Sequence, residues 1–198
     1  MLLPRNIQRA VEALSLLPSL GPRAAERIVL YLLERPKNQR QELAEALEGI
    51  NKSGFCRRCF NVASEKFCPI CVSKDRDHGI VCVVEDVLDL MAIENQNTFL
   101  GVYHVLGGTI RVGQKDNTDK LTIKELGQRV GREKIKEIII ATNPTTAGDM
   151  TAIKVKEALE DREGLKITRI SRGVPTGGDI EYADRESIAG SFKAREEI

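Results

Sequence analysis

The chain has 198 residues, 41 % of them apolar, enough for one sizeable core plus a small satellite or for two modest domains. No stretch reaches the ~20 consecutive apolar residues of a membrane span, nothing at the N-terminus resembles a secretory signal, and eight aromatic residues without Trp leave little material for base-stacking platforms. The net charge of +1 hides an asymmetry: residues 1–80 carry 13 Lys/Arg against 9 Asp/Glu, and residues 81–198 carry 17 against 20. A mildly basic front half is compatible with a phosphate-binding surface.

The first 50 residues read as short helices. Ile7, Val11 and Leu14 recur at helical spacing before the break Pro18-Ser19-Leu20-Gly21-Pro22. Pro22 suits the first turn of a second helix, whose apolar stripe is Ala24, Ala25, Ile28, Val29, Leu32 and Leu33. Arg35-Pro36 ends it, and Leu43, Ala46, Leu47 and Ile50 mark a third. Helix, tight Leu-Gly-Pro turn and helix resemble a helix-hairpin-helix, in which Gly admits a phosphate and the amides opening the second helix point at it. Arg23 and Arg27, four residues apart, share a face and are the candidate DNA-binding side chains. Such contacts carry no base information, so binding should be non-specific and salt-sensitive. The competing reading is an ordinary helical hairpin with solvated arginines.

Cys56-x2-Cys59-x8-Cys68-x2-Cys71 follows. Two CxxC knuckles on a short link aim four sulfurs at one point, the closed tetrahedral set that structural Zn²⁺ prefers. One zinc per chain is expected, building structure and not doing chemistry, because no coordination position is left open. Two disulfides are the alternative, and they need an oxidising compartment. The fifth cysteine, Cys82, sits in the apolar run Ile80–Val84 and reads as a small buried hydrophobe.

Beyond the cysteines, strands and helices alternate. Gly79–Val84 is a strand, Val87–Ile93 a helix, Gly101–Leu106 a strand, and Thr122-Ile-Lys-Glu125 a capping box opening the next helix. Glu137–Thr142, with Ile138, Ile139 and Ile140 consecutive, reads as a strand buried on both faces. A helix near Asp149–Leu159, a strand Lys166–Ser171, a Gly-rich loop and a helix near Glu186–Ala194 complete an α/β pattern with a parallel sheet. Function in such sheets gathers at the carboxyl ends of strands, here Glu85 and residues 143–149.

Val83-Val84-Glu85 with Ala141-Thr142-Asn143-Pro144-Thr145-Thr146-Ala147-Gly148-Asp149 resembles the Toprim domain. That family holds Mg²⁺ with a strand-end glutamate and a later Asp-x-Asp. Here those aspartate positions are Asn143 and Thr145, so Glu85 with Asp149 makes a poor cage for a cation that wants carboxylates. The expectation is therefore no enzyme and no catalytic residues.

Helical hairpin, four-cysteine finger and degraded Toprim, in that order, resemble the bacterial RecR family of recombination mediators over nearly the whole chain. Tyr103-His104-Val105-Leu106-Gly107-Gly108, Thr168-Arg169-Ile170 and Gly173–Asp184 also carry the likeness. The resemblance implies domains at 1–54, 55–77, 78–172 and 173–198, the last a Walker-B-like loop and helix. No Gly-x4-Gly-Lys-Ser/Thr loop accompanies it, so ATP hydrolysis is not supported. His104 is better read as a strand residue than as a base. Two departures from the family pattern stand out: the loop 109–119 lacks a Pro- and Gly-rich stretch, and Ala147 replaces an expected glutamate. The resemblance implies a cytoplasmic, nucleoid-associated homo-oligomer, dimers closing into a tetrameric ring, acting with RecO and in some bacteria RecF. Together they load RecA onto gapped or single-strand-binding-protein-coated DNA. Glu85, Asn143 and Asp149 would contact the partner. The alternatives are a Toprim nuclease or primase fragment, and a zinc-ribbon interaction module with no DNA role.

Overall fold

Pro4, Pro22 and Pro36 each stand at or just before the first residue of a helix, where the ring-locked φ is pre-organised and the missing N–H costs nothing. Helices α1 (Arg5–Ser15), α2 (Pro22–Leu33) and α3 (Lys37–Gly49) follow them. The computed structural model describes residues 3–110, 118–195 and 197, and the chain divides into two compact units, Met1–Lys52 and Ser53–Ile198. In the first, α1 and α2 pack as a hairpin. Of the stripe read from the sequence, Ala25 and Val29 are buried and Ile28 and Leu32 half-buried, while Ala24 and Leu33 are exposed. Helix α3 buries none of its side chains, and Leu43, Leu47 and the following Ile50 face solvent.

The second unit opens with β1 (Gly54–Phe55) paired antiparallel with β2 (Val62–Ala63), then the short α4 (Pro69–Val72). An α/β array follows: β3 (Asp77–Val84), α5 (Val87–Glu94), β4 (Gly101–Val105), α6 (Ile123–Arg132), β5 (Glu137–Ile140), α7 (Thr146–Glu157), β6 (Lys166–Arg169) and α8 (Arg185–Lys193). The sheet is parallel throughout, in the order β4-β3-β5-β6. Strand alternation sends Val81, Val83, Ile138 and Ile140 into a core closed by Leu126 of α6 and Val155 of α7. Cys82, Val84 and Tyr103 point the other way, onto Leu90 of α5. Ile139 is only half-buried, so β5 is not fully covered on both faces, because α5 and the finger cover the β3–β4 side of the sheet.

The capping box lies on a different helix from the one expected. Thr122 Oγ1 donates to Val105 O at 2.7 Å and makes no cap on α6. Instead Asp86 Oδ1 accepts from the amides of Leu88 and Asp89, and Asp89 Oδ2 accepts from the Asp86 amide, closing a box on α5. The hydroxyl of Thr122 is drawn away by the Val105 carbonyl and lies 3.0 Å from His104 Nε2, both on the adjacent strand. His104 is indeed a strand residue, fully buried in β4 beside Val83. The sequence departure at residues 111–116 lies outside the described residues. No helix among the described residues is long and apolar enough to cross a membrane.

Candidate functional site

The first knuckle is a tight turn. The Phe60 amide donates to Cys56 O at 3.0 Å, and Phe60 takes the left-handed φ of 62° that reverses the chain. The second knuckle is the start of α4, with the Cys71 amide donating to Cys68 O. Together they bring the four sulfurs within 4.8 Å of one another, all buried, none in a disulfide. Cys59 and Cys68 Sγ are 3.5 Å apart, close to the about 3.8 Å edge of a tetrahedron with Zn–S bonds near 2.3 Å. The thiols share hydrogen bonds: those from Cys59 and Cys71 push the Cys68 pKa down to about 2, and the bond to Cys68 pushes the Cys59 thiol up. A divalent ion replaces the shared protons, so the donor set fits a metal.

The finger is seated on the sheet's edge strand. The amide of Val105 in β4 donates to Cys59 O at 2.8 Å. Arg129 of α6 donates through Nη1 to Tyr103 O at 2.7 Å on the same edge, supplying a donor that a further strand would otherwise provide. Arg129 Nε and Arg58 Nε both hold Glu133, at 3.0 and 2.8 Å, and Arg58 Nη1 reaches Cys71 O. Burial pushes Glu133 up, but the Arg58 hydrogen bond and the Arg129 charge outweigh it and hold the carboxyl below its ordinary value. Sequence reading missed this network; the long-range pairing of Arg58 with Glu133 has no local signature.

The strand order 4-3-5-6 places a switch point between β3 and β5, where Glu85 and Asn143 meet. Glu85 is almost buried, and Asn143 occupies both its oxygens: the backbone amide donates to Oε1 and Nδ2 to Oε2, each at 2.8 Å. Thr145 is the N-cap of α7, accepting from the Gly148 amide at 3.0 Å. A Cβ at Gly148 would overlap the Asn143 carbonyl and crowd Glu85, so this turn demands glycine. Asp149 turns the other way, paired with Arg169 at 2.7 Å and with Arg172, and the Arg169 contact holds its carboxyl below the ordinary range. Glu85 and Asn143 are thus brought together, while Asp149 belongs to a separate arginine cluster that also reaches Glu186 of α8. In the Gly173–Asp184 segment, Asp184 is occupied as the N-cap of α8, accepting from the amides of Glu186 and Ser187.

In the first unit, Arg23 and Arg27 both lie exposed on the first turns of α2. That helix has no side-chain cap. Its N-cap Gly21 has φ −73° and an empty surround, so nothing in the fold requires glycine there. An N-terminus bare of both cap and Cβ is open to an anion.

A parallel sheet with its switch-point glutamate, a four-cysteine finger on its edge strand and a helical hairpin define a Toprim-like α/β protein carrying two small accessory modules. The Toprim domain family matches residues 79–171, the RecR helix-hairpin-helix family residues 7–50 and the RecR C-terminal family residues 173–196. The chain is 43 % identical over 195 residues to the recombination protein RecR of Gloeobacter violaceus, covering 98 % of each chain. It is 40 % identical to that of Chloroflexus aggregans, over all of this chain and 96 % of the relative, and 40 % identical to that of Cutibacterium acnes, over 96 % and 94 %. The chain belongs to the RecR family of recombination proteins.

Proposed function

We propose that this chain is a non-catalytic, DNA-binding mediator of recombination and repair that helps RecO and RecF load RecA onto gapped or single-strand-binding-protein-coated DNA. The observation that carries the non-catalytic part is Glu85. Its two oxygens are filled by Asn143, so the carboxylate that a Toprim enzyme would lend to a cation is used internally. DNA contact falls to Arg23 and Arg27 at the uncapped start of α2, supported by the helix-hairpin-helix match. Zinc on Cys56, Cys59, Cys68 and Cys71 holds the finger against β4. Glu85 and Asn143 at the strand ends, and Asp149 in the first turn of α7, are offered as the residues that contact RecO. The proposed domains are 1–54, 55–77, 78–172 and 173–198, in a cytoplasmic protein at the nucleoid. Helix α3, with no buried side chain, supports assembly: a second copy covering Leu43, Leu47 and Ile50 gives the dimer from which a ring is built.

The test is DNA binding measured against salt. Arg23→Ala with Arg27→Ala should weaken binding equally for unrelated sequences and flatten the salt dependence by about one counterion per lost phosphate contact. Unchanged affinity would make the hairpin structural only.

A further inference from the structure

The charge at the junction of finger and α6 does not balance. Glu133 is one carboxylate holding two guanidinium groups, Arg58 and Arg129. The Arg129 side chain is 4 % exposed, and its Nη2 has no hydrogen-bond partner. Buried cations are normally paired and their donors satisfied. Arg129 lines an open groove of about 530 Å³, whose walls include Arg57, Phe60, Phe67 and Arg132. Arg57 and Arg132 are exposed, with no side-chain partner among the described residues.

The positive charge continues past the groove. Between the end of α6 at Arg132 and the start of β5 the chain makes a tight turn, the Ile135 amide donating to Glu133 O at 2.9 Å, and burial alternates: Arg132, Lys134 and Lys136 are exposed, while Glu133 and Ile135 are half-buried. These three cations line a second hollow of about 580 Å³ that adjoins the groove through Arg58, Arg132 and Glu133. Arg132 alone is explained by the negative end of the α6 dipole. That account does not extend to Arg57, Lys134 or Lys136, which lie outside the helix, nor to the unmet donor of Arg129. The acidic side chains along the path, Glu125, Glu133 and Asp77, are fewer than the cations, although residues 53–198 as a whole carry 22 Lys/Arg against 23 Asp/Glu.

We propose that this groove and the basic hollow beyond it form a second nucleic-acid contact, separate from the helical hairpin, that takes a single strand by its phosphates. The inference rests on the DNA-binding reading above and adds a surface to it. Cations spread along two adjoining hollows fit a polymer with repeated charge better than they fit one small anion. Phe67, exposed beside the arginines, offers apolar ring surface to an unstacked base, while Phe60 packs on His104 and forms the floor beside it. Such a site reads no sequence and weakens with salt.

The experiment uses the full chain and a fluorescein-labelled oligo(dT), with anisotropy titrations across a salt series. Four proteins are compared: the native chain, Arg23→Ala/Arg27→Ala, Arg132→Gln/Lys134→Gln/Lys136→Gln, and the combination. The triple variant should lower the slope of log affinity against log salt by about 2, at about 0.7 per phosphate lost, and the combination should lose more than either parent. If the triple variant lowers the melting temperature, Lys134→Gln/Lys136→Gln, which leaves α6 untouched, repeats the measurement with a slope change of about 1.4. An unchanged slope in that variant overturns the proposal, even where the hairpin pair abolishes binding and so keeps its own role. A slope change with the basic hollow altered and none with the hairpin altered upholds this surface and removes the hairpin. Photocrosslinking with 4-thiothymidine in the strand should label the peptide carrying Phe60 and Phe67, and Phe67→Ala should reduce that labelling. Labels confined to residues 5–50 overturn the proposal. So does a fluorescent poly-aspartate peptide that binds with equal affinity and the same dependence on the three residues, because the surface would then be an acidic-peptide site.

Discussion

Asn143 grips Glu85 with two hydrogen bonds of 2.8 Å, one from its backbone amide and one from its side chain. Each carboxylate oxygen receives one donor, and Asp89 Oδ1 lies 3.4 Å from the same Asn143 Nδ2. The amide thus occupies the position at which a second carboxylate would need a cation to lie beside the first. Asn143→Asp should place like charges against each other and cost about 1–3 kcal/mol at neutral pH in the absence of divalent ions. Added Mg²⁺ or Mn²⁺ should recover part of the loss. Thermal melts with and without the ion check this, and a variant as stable as the native chain in EDTA would mean the clamp contributes nothing.

The metal prediction follows from the sulfur cluster. Purified protein should carry one zinc per chain by elemental analysis, and Cys59→Ala with Cys68→Ala should abolish it. Because metal binding here is also folding free energy, the loss should free the finger from the β4 edge and make the 54–76 segment sensitive to protease. Normal zinc content in the double variant would place the ion elsewhere.

The Glu133 junction should be sensitive to a single neutral substitution. Glu133→Gln leaves Arg58 and Arg129 facing each other with no countercharge, and Arg129 is buried. Removing one member of a buried ionic group costs several kcal/mol, and the partial exposure of Glu133 reduces this to about 2 kcal/mol. Arg129→Met together with Glu133→Gln should lose less than the sum of the single changes, a coupling that denaturant melts can measure.

His104 makes acid stability depend on a buried ring. Burial, reinforced by the nearby Arg129 charge, pushes its pKa down to about 4 from the ordinary 6.5. The folded state therefore favours the neutral ring. The stabilisation is fully present above pH 6.5 and is lost progressively as pH falls towards 4, amounting to about 3 kcal/mol below that. In His104→Asn the pH dependence of stability between 6.5 and 4 should be shallower by up to one proton, whatever the acid lability of the cysteine cluster common to both proteins. Parallel curves for the two would assign the acid sensitivity to other groups.

Gly148 and Gly190 each admit a backbone where a side chain cannot go. A Cβ at Gly190 of α8 would overlap the Arg172 carbonyl, as one at Gly148 would the Asn143 carbonyl. Gly190→Ala should detach α8 and raise proteolysis of the C-terminal segment, whereas Gly148→Ala should disturb Glu85 and cost about 1–3 kcal/mol overall. Limited proteolysis and melts distinguish the local effect from the global one.

Much of this was legible in the chain. The CxxC spacing announced the four-cysteine cluster because ligand geometry is a local property of two tight turns. The β-branched runs at Ile80–Val84 and Ile138–Ile140 announced strands because burial demands apolar continuity. The first three helices were read where they lie, yet their apolar spacing did not say that Leu43 and Leu47 of α3 would be left exposed among the described residues. Whether a stripe is covered depends on what lies opposite. The capping box was assigned to Thr122 and belongs to Asp86, because a strand carbonyl 17 residues away competes for the threonine hydroxyl.

Sequence by itself determined the element types, the cysteine ligand set and the loss of the Asp-x-Asp carboxylates, each a matter of residue identity at short spacing. Tertiary structure decided what those residues do. It brought Asn143 to Glu85 across 58 positions, seated Cys59 against Val105, and left Arg58 and Arg129 sharing Glu133 with one donor unmet. Hydrogen-bond satisfaction and charge balance are settled between elements far apart in the chain, and only the packed sheet and finger set those distances.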